Sequence, residues 1–122
     1  MRSKSRSVYV IADGDMVKIG IAAFPPKRLA QMQTGSSRRL RLINSFRLPY
    51  KLAEIVEDLC HAELAEFRSA GEWFKIDPAT AWACVQRHGS AVVKKAQEIS
   101  AAERIRVENE LITALEQLNT TS

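Results

Sequence analysis

The sequence of 122 residues holds only two cysteines, Cys60 and Cys84, with no CxxC pair. That usage offers neither a disulfide framework nor a zinc knuckle and fits a reducing compartment. No run approaches the roughly 18 consecutive apolar residues of a membrane span. Residues 1–7, with Arg2, Lys4 and Arg6, run into a strand rather than into the 7 to 15 residue apolar stretch of a signal peptide. A cytoplasmic protein, neither secreted nor membrane-embedded, is therefore expected. There is no internal repeat and no low-complexity linker. With 46% hydrophobic and 26% charged residues the composition is that of one globular domain, which excludes disorder as the whole account.

Charge is unevenly spread. Residues 1–47 hold ten Lys or Arg against two Asp, while residues 48–122 hold eight basic against twelve acidic residues. A basic first third draws polyanions, since each cation placed on a phosphate releases counterions. Nucleic acid is the natural candidate, although basic residues also serve simply to solubilise small domains.

Periodicity gives the elements. Val8–Ala12 and Met16–Ile21 flank Asp13-Gly14-Asp15 and read as a β-hairpin. Pro25-Pro26 opens a short helix that ends before Thr34-Gly35. Leu40–Leu48 approximately alternates and extends the sheet, with Arg39, Arg41 and Arg47 expected on one side. Over residues 50–68 the spacing of Leu52, Ile55, Val56, Leu59, Cys60, Leu64 and Phe67 predicts an amphipathic helix of about five turns. Gly71 breaks it, and residues 72–76 read as a short strand. Asp77-Pro78 then caps a helix expected to end at His88-Gly89. Residues 90–118 contain no glycine or proline and form a further helix with a stripe at Val107, Leu111, Leu115 and Leu118, which packs back or pairs with another copy.

The order predicts an α+β fold: a small, mostly antiparallel sheet flanked by helices, with a C-terminal helical extension. The expected organisation is a basic arm (1–7), an α/β domain (8–88) and a C-terminal helix (89–122). Tyr9, Lys18, Arg28, Glu57 and His61 stand out as chemistry-bearing positions, the last two one turn apart on the long helix. Blander roles exist for each: Tyr9 as a strand aromatic filling the sheet face, Glu57 and His61 as a solvated surface pair. Trp73-Phe74 read as core and His88 as a helix end. Lys27, Arg38, Arg39, Arg41 and Arg47 are candidates for a phosphate-tracking surface.

In sequence order, Val8-Tyr9-Val10, Val17-Lys18-Ile19-Gly20, residues 28–35 (RLAQMQTG), residues 57–61 (EDLCH) and residues 68–74 (RSAGEWF) form a series of motifs. This series resembles the GIY-YIG nuclease superfamily. More narrowly it is similar to the small phage and bacterial branch that carries the meiotically up-regulated gene domain. The resemblance implies a DNA endonuclease with Mg²⁺ or Mn²⁺ on Glu57, Arg28 at the scissile phosphate and Tyr9 near the nucleophile. Phosphodiester cleavage needs an activated water, a cation on the developing charge and help for the leaving oxygen, and these residue types supply them. Lys18 replaces the second motif tyrosine. Protonated, it binds phosphate and leaves base duty to Tyr9, to His61 or to a metal-bound hydroxide. Two other readings stand beside this one: a non-catalytic nucleic-acid-binding or regulatory module on the same fold, and an interaction protein that forms homo-oligomers through its C-terminal helix.

Overall fold

A computed structural model describes residues 4–120, and the side chains of residues 4–118. Arg2 of the basic arm lies outside them. In chain order the elements are β1 (Ser5–Asp13), β2 (Met16–Ala22), α1 (Pro25–Thr34), β3 (Arg41–Pro49), α2 (Tyr50–Glu63), a single 3-10 turn (Ala65–Phe67), β4 (Arg68–Ala70), β5 (Trp73–Phe74) and α3 (Pro78–Thr120). The strands form one antiparallel sheet of order β3-β1-β2-β5-β4. The α+β class expected from the pattern is the one observed.

Directly opposed residues of an antiparallel ladder share a face. Tyr9 opposes Gly20 and Ser45, and Ile11 opposes Lys18 and Leu42. On that face Tyr9, Ile11 and Leu40 are buried against Leu29 and Met32 of α1, with Leu42 and Trp73 beside them. The other face carries Val8, Val10, Val17, Ile19 and Phe74, all fully buried. There the His61 ring of α2 stands 5.1 Å from Phe74, centroid to centroid. Each such burial of a Val, Ile or Phe contributes about 1.5–3 kcal/mol relative to exposure. The α1 helix begins as its two prolines dictate, at the one place where a missing N–H costs nothing.

Four readings of the sequence need correction. The long helix stops at Glu63 rather than near Arg68. Past Leu64 the backbone is taken by the sheet instead: Lys75 N–H donates to the Phe67 carbonyl at 2.8 Å, and Arg68–Ala70 pairs with β5 across a turn at Gly71, whose φ is +58°. The apolar face of α2 is also turned from the expected one. Ala53, Val56 and Cys60 are its buried residues, while Ile55, Leu59 and the following Phe67 are exposed.

The helix expected to end at His88-Gly89 continues as α3. Gly89 is not a stop but a packing position: a Cβ there would lie 2.9 Å from the Phe46 ring of β3. Finally, the alternation of β3 is interrupted. Val10 opposes Asn44 but Ile11 opposes Leu42, which leaves Ile43 as a bulge. Arg41, opposite Ala12, and Arg47, opposite Ser7, therefore fall on opposite faces of the sheet.

Two compact units divide the chain, Met1–Val92 and Val93–Ser122. In the first, the entry to α3 is capped as the Asp77-Pro78 pair predicts: Thr80 N–H donates to the Asp77 carboxylate at 2.9 Å. In the second, the helix carries Arg106 between Glu103 and Glu110, the latter at 2.7 Å. Val107, Leu111, Leu115 and Leu118 lie exposed along it. Among the described residues no helix is long and apolar enough to cross a membrane.

Candidate active site and nucleic-acid face

The site is organised around β2. The glycine at position 20 leaves room for the Tyr9 ring: a Cβ on Gly20 would lie 2.5 Å from the Tyr9 hydroxyl oxygen, 2.7 Å from Cζ and 3.3 Å from Glu72 Oε1. The tyrosine hydroxyl and a carboxylate oxygen thus converge over the same glycine. Two residues earlier in the strand, Lys18 Nζ lies 3.4 Å from Glu72 Oε1 and 6.0 Å from the centre of the Trp73 ring. The Lys18↔Trp73 register fixes this pairing, because it sets Glu72 beside the strand.

Ile19, between them, ties in two further elements through its backbone. Its N–H donates to the Glu72 carbonyl at 3.4 Å, and its carbonyl accepts from His61 Nε2 at 2.8 Å. A carbonyl only accepts, so the proton resides on Nε2. Whenever the ring is neutral, Nδ1 is therefore its acceptor.

Charge links these groups. Burial pushes the Tyr9 hydroxyl above the ordinary tyrosine range. Arg28 pulls it back through a hydrogen bond and its charge, while Glu72 and Glu57 push it up again. Glu57 is raised above the usual carboxylate range, first by desolvation and then by the negative charge of Glu72, with His61 opposing. A carboxylate whose ionisation is hindered by burial and by a second carboxylate nearby is donor chemistry that suits a hard divalent cation. Outside the core, Arg28 lines a surface groove with Ala22, Ala23, Phe24, Lys27 and Gln31. Phe24 is 62% exposed there.

Five expected positions, Tyr9, Lys18, Arg28, Glu57 and His61, are therefore connected in space. One member was missed: Glu72, read from the sequence only as part of the RSAGEWF motif, contacts Lys18 and converges with Tyr9 over Gly20. The Gly71 turn starts β5, but only the long-range β2–β5 register brings Glu72 beside Lys18. The basic residues do not form one stripe. Lys27 shares the groove with Arg28, and Arg47 reaches the groove's edge by donating to the Ala23 carbonyl at 2.9 Å. Arg38 is paired with Asp13 at 3.3 Å and lines a second groove with Arg39, Gln33 and Ser37. Arg41 is exposed on the opposite sheet face from Arg47.

No curated protein and no solved structure matches the chain. Residues 6–89 do match one family, the T5orf172 domain, and that span contains every motif and candidate site residue described above and all of the sheet but Ser5. The chain therefore belongs to the T5orf172 domain family, a phage-associated domain of the nuclease-like fold group, which places it among nuclease-like or DNA-binding modules.

Proposed function

We propose that the protein is a metal-dependent DNA endonuclease of GIY-YIG type. The observation that carries this reading is the convergence of the Tyr9 hydroxyl and the Glu72 carboxylate over Gly20, with Arg28 hydrogen-bonded to Tyr9 and Glu57 coupled to Tyr9 and Glu72 through charge. Structural packing alone does not require a buried tyrosine hydroxyl and a carboxylate to converge on a glycine.

Glu57 would hold Mg²⁺ or Mn²⁺, and Glu72 adds negative charge that favours a cation there. Bound there, the cation supplies Lewis-acid stabilisation of the phosphate. Arg28 offers its planar fork to a phosphate oxygen from the groove side. Lys18, compensated by Glu72 in the free protein, offers a second positive charge to the substrate. Tyr9 keeps its proton in the free protein because burial raises its pKa, so it orients water rather than deprotonating it. His61, with Nε2 committed to Ile19, takes a proton at Nδ1. Lys27 and Arg47 extend the cationic surface along the backbone of the DNA.

Plasmid nicking with Mg²⁺ or Mn²⁺, alongside Glu57→Ala, tests this directly. The non-catalytic alternative predicts salt-sensitive binding, no nicking, and no effect of Glu57→Ala beyond slightly tighter binding from the lost negative charge. The exposed Val107, Leu111, Leu115 and Leu118 support a separate reading of the second unit as a self-association helix. Sedimentation of Leu111→Asp against the parent protein checks it: the parent should be dimeric and the variant monomeric.

A further inference from the structure

The first unit holds a second cluster of chemistry-bearing side chains, which the endonuclease reading leaves unused. Glu63 ends α2, and Cys84 and His88 are one turn apart on α3. Cys84 Sγ lies 3.4 Å from Glu63 Oε2, and His88 Nε2 lies 2.9 Å from Glu63 Oε1. The sulfur, ring nitrogen and carboxylate oxygen all fall within 4.8 Å of one another. One soft, one borderline and one hard donor on two rigid helices make the donor set of a zinc-type ion, not of Mg²⁺. Cys84 is buried, while His88 and Glu63 reach solvent, so an ion has a way in.

We propose that Glu63, Cys84 and His88 form a zinc-type metal site joining the end of α2 to α3. The cluster is distinct from the Glu57 site. It uses residues that the sequence spacing hid, because the cysteines form no CxxC pair and the third donor is a carboxylate. Arg87 competes for one of these donors: its guanidinium forks onto Glu63 at 2.9 and 2.5 Å. Arg87 is largely exposed and has room to swing away. It is therefore a competitor, and its removal tightens the site. The Cys60 thiol, hydrogen-bonded to Cys84, is a neighbour rather than a required donor.

The test is a Co²⁺ titration of the reduced, metal-free full chain, with excess Mg²⁺ present to occupy hard oxygen sites. The expected result is one saturable equivalent with tetrahedral visible bands and a thiolate charge-transfer band, all displaced by Zn²⁺. Cys84→Ser should abolish the charge-transfer band, His88→Ala should weaken binding by roughly 10-fold or more, and Arg87→Gln should tighten it several-fold. Glu57→Gln should leave the spectrum unchanged. Circular dichroism of each variant separates lost binding from lost fold, and Arg87→Gln gives a gain that misfolding cannot mimic. Absence of a thiolate band in the parent chain overturns the proposal. So does a band that survives His88→Ala but disappears in Cys60→Ser, which would mark a dithiol site instead.

Discussion

Tyr9 lies over Gly20, its opposite number on the neighbouring strand, so closely that a single added methyl group would meet the tyrosine hydroxyl oxygen at 2.5 Å. The ring is 1% exposed and has nowhere to retreat. A glycine in the interior of a strand weakens it, so its presence marks a close approach. Here the group approaching is the hydroxyl that the proposed chemistry needs.

Gly20→Ala should accordingly cost about 1–3 kcal/mol of stability, the usual range for overpacking. It should also reduce cleavage much more than DNA affinity, because Lys27 and Arg47, which the proposed function sets along the DNA backbone, are untouched. Urea unfolding and a gel-shift salt series, run beside the nicking assay, read the three quantities separately. Equal loss of binding and cleavage would mean that Tyr9 only fills the core.

The acid limb of activity should follow Glu57. Its carboxyl pKa is raised by desolvation and by Glu72, so it is protonated at pH values where an ordinary carboxylate is already charged. For stability the sign is unfavourable at higher pH: the folded state binds this proton more tightly, so Glu57's contribution falls as pH rises through the interval between the unfolded and folded pKa. For metal affinity the sign reverses, and Mg²⁺ binding should weaken as pH falls through the same interval. Glu72→Gln should move the Glu57 titration, followed by carbon-13 NMR, downward. An unmoved titration would disconnect the two carboxylates.

Glu63 behaves in the opposite way. Hydrogen bonds from Arg87 and His88 hold its carboxyl down at about 2. Its stabilisation is thus complete above the ordinary carboxylate value of 4.5 and is lost as pH falls toward 2. The residue is partly exposed, so solvent screening keeps the effect small. Glu63→Gln should flatten the dependence of stability on pH over that interval while changing little at pH below it. An unchanged slope would show that the ion pair with Arg87 does not persist in solution.

Gly89→Ala isolates the packing of α3 on β3. Alanine gains about 1 kcal/mol of helix propensity over glycine, but the Phe46 ring stands 2.9 Å from the new methyl. The clash should exceed that gain and leave the single variant destabilised by about 1 kcal/mol or more, within the overpacking range. Combined with Phe46→Leu, the same substitution should become stabilising, since the ring that opposed it is gone. A double-mutant cycle with no coupling between the positions would contradict the contact.

Much of this was legible in the residues. The hairpin, α1 and the capped start of α3 follow from local chemistry: a turn glycine with φ of +61°, prolines in the first helical turn, and an aspartate that accepts from Thr80. The misread features depend on distant partners. Leu64 and Phe67 continue the helical spacing of α2, yet a 3-10 turn intervenes and β5 recruits Arg68–Ala70 into the sheet. Gly89 looks like a stop unless Phe46 is known to lie against it. The bulge at Ile43, which separates Arg41 from Arg47, shows in the sequence only as the break Leu42-Ile43-Asn44-Ser45 in the alternation of β3. Within the site, Tyr9, Arg28 and Glu57 lie on the motifs that announce them. Glu72 becomes part of it only through the β2–β5 register, which no local pattern encodes.

The central claim is tested most directly by incubating supercoiled plasmid with the purified chain and Mg²⁺ or Mn²⁺, with Glu57→Gln and Arg28→Ala in parallel. The account predicts metal-dependent nicking, abolished in Glu57→Gln and reduced on the order of 10²–10³-fold in Arg28→Ala, as for removal of a group that stabilises transition-state charge. DNA bound with a steep salt dependence but left intact under every metal condition would contradict it, and would make the Tyr9, Arg28 and Glu57 assembly a binding site alone.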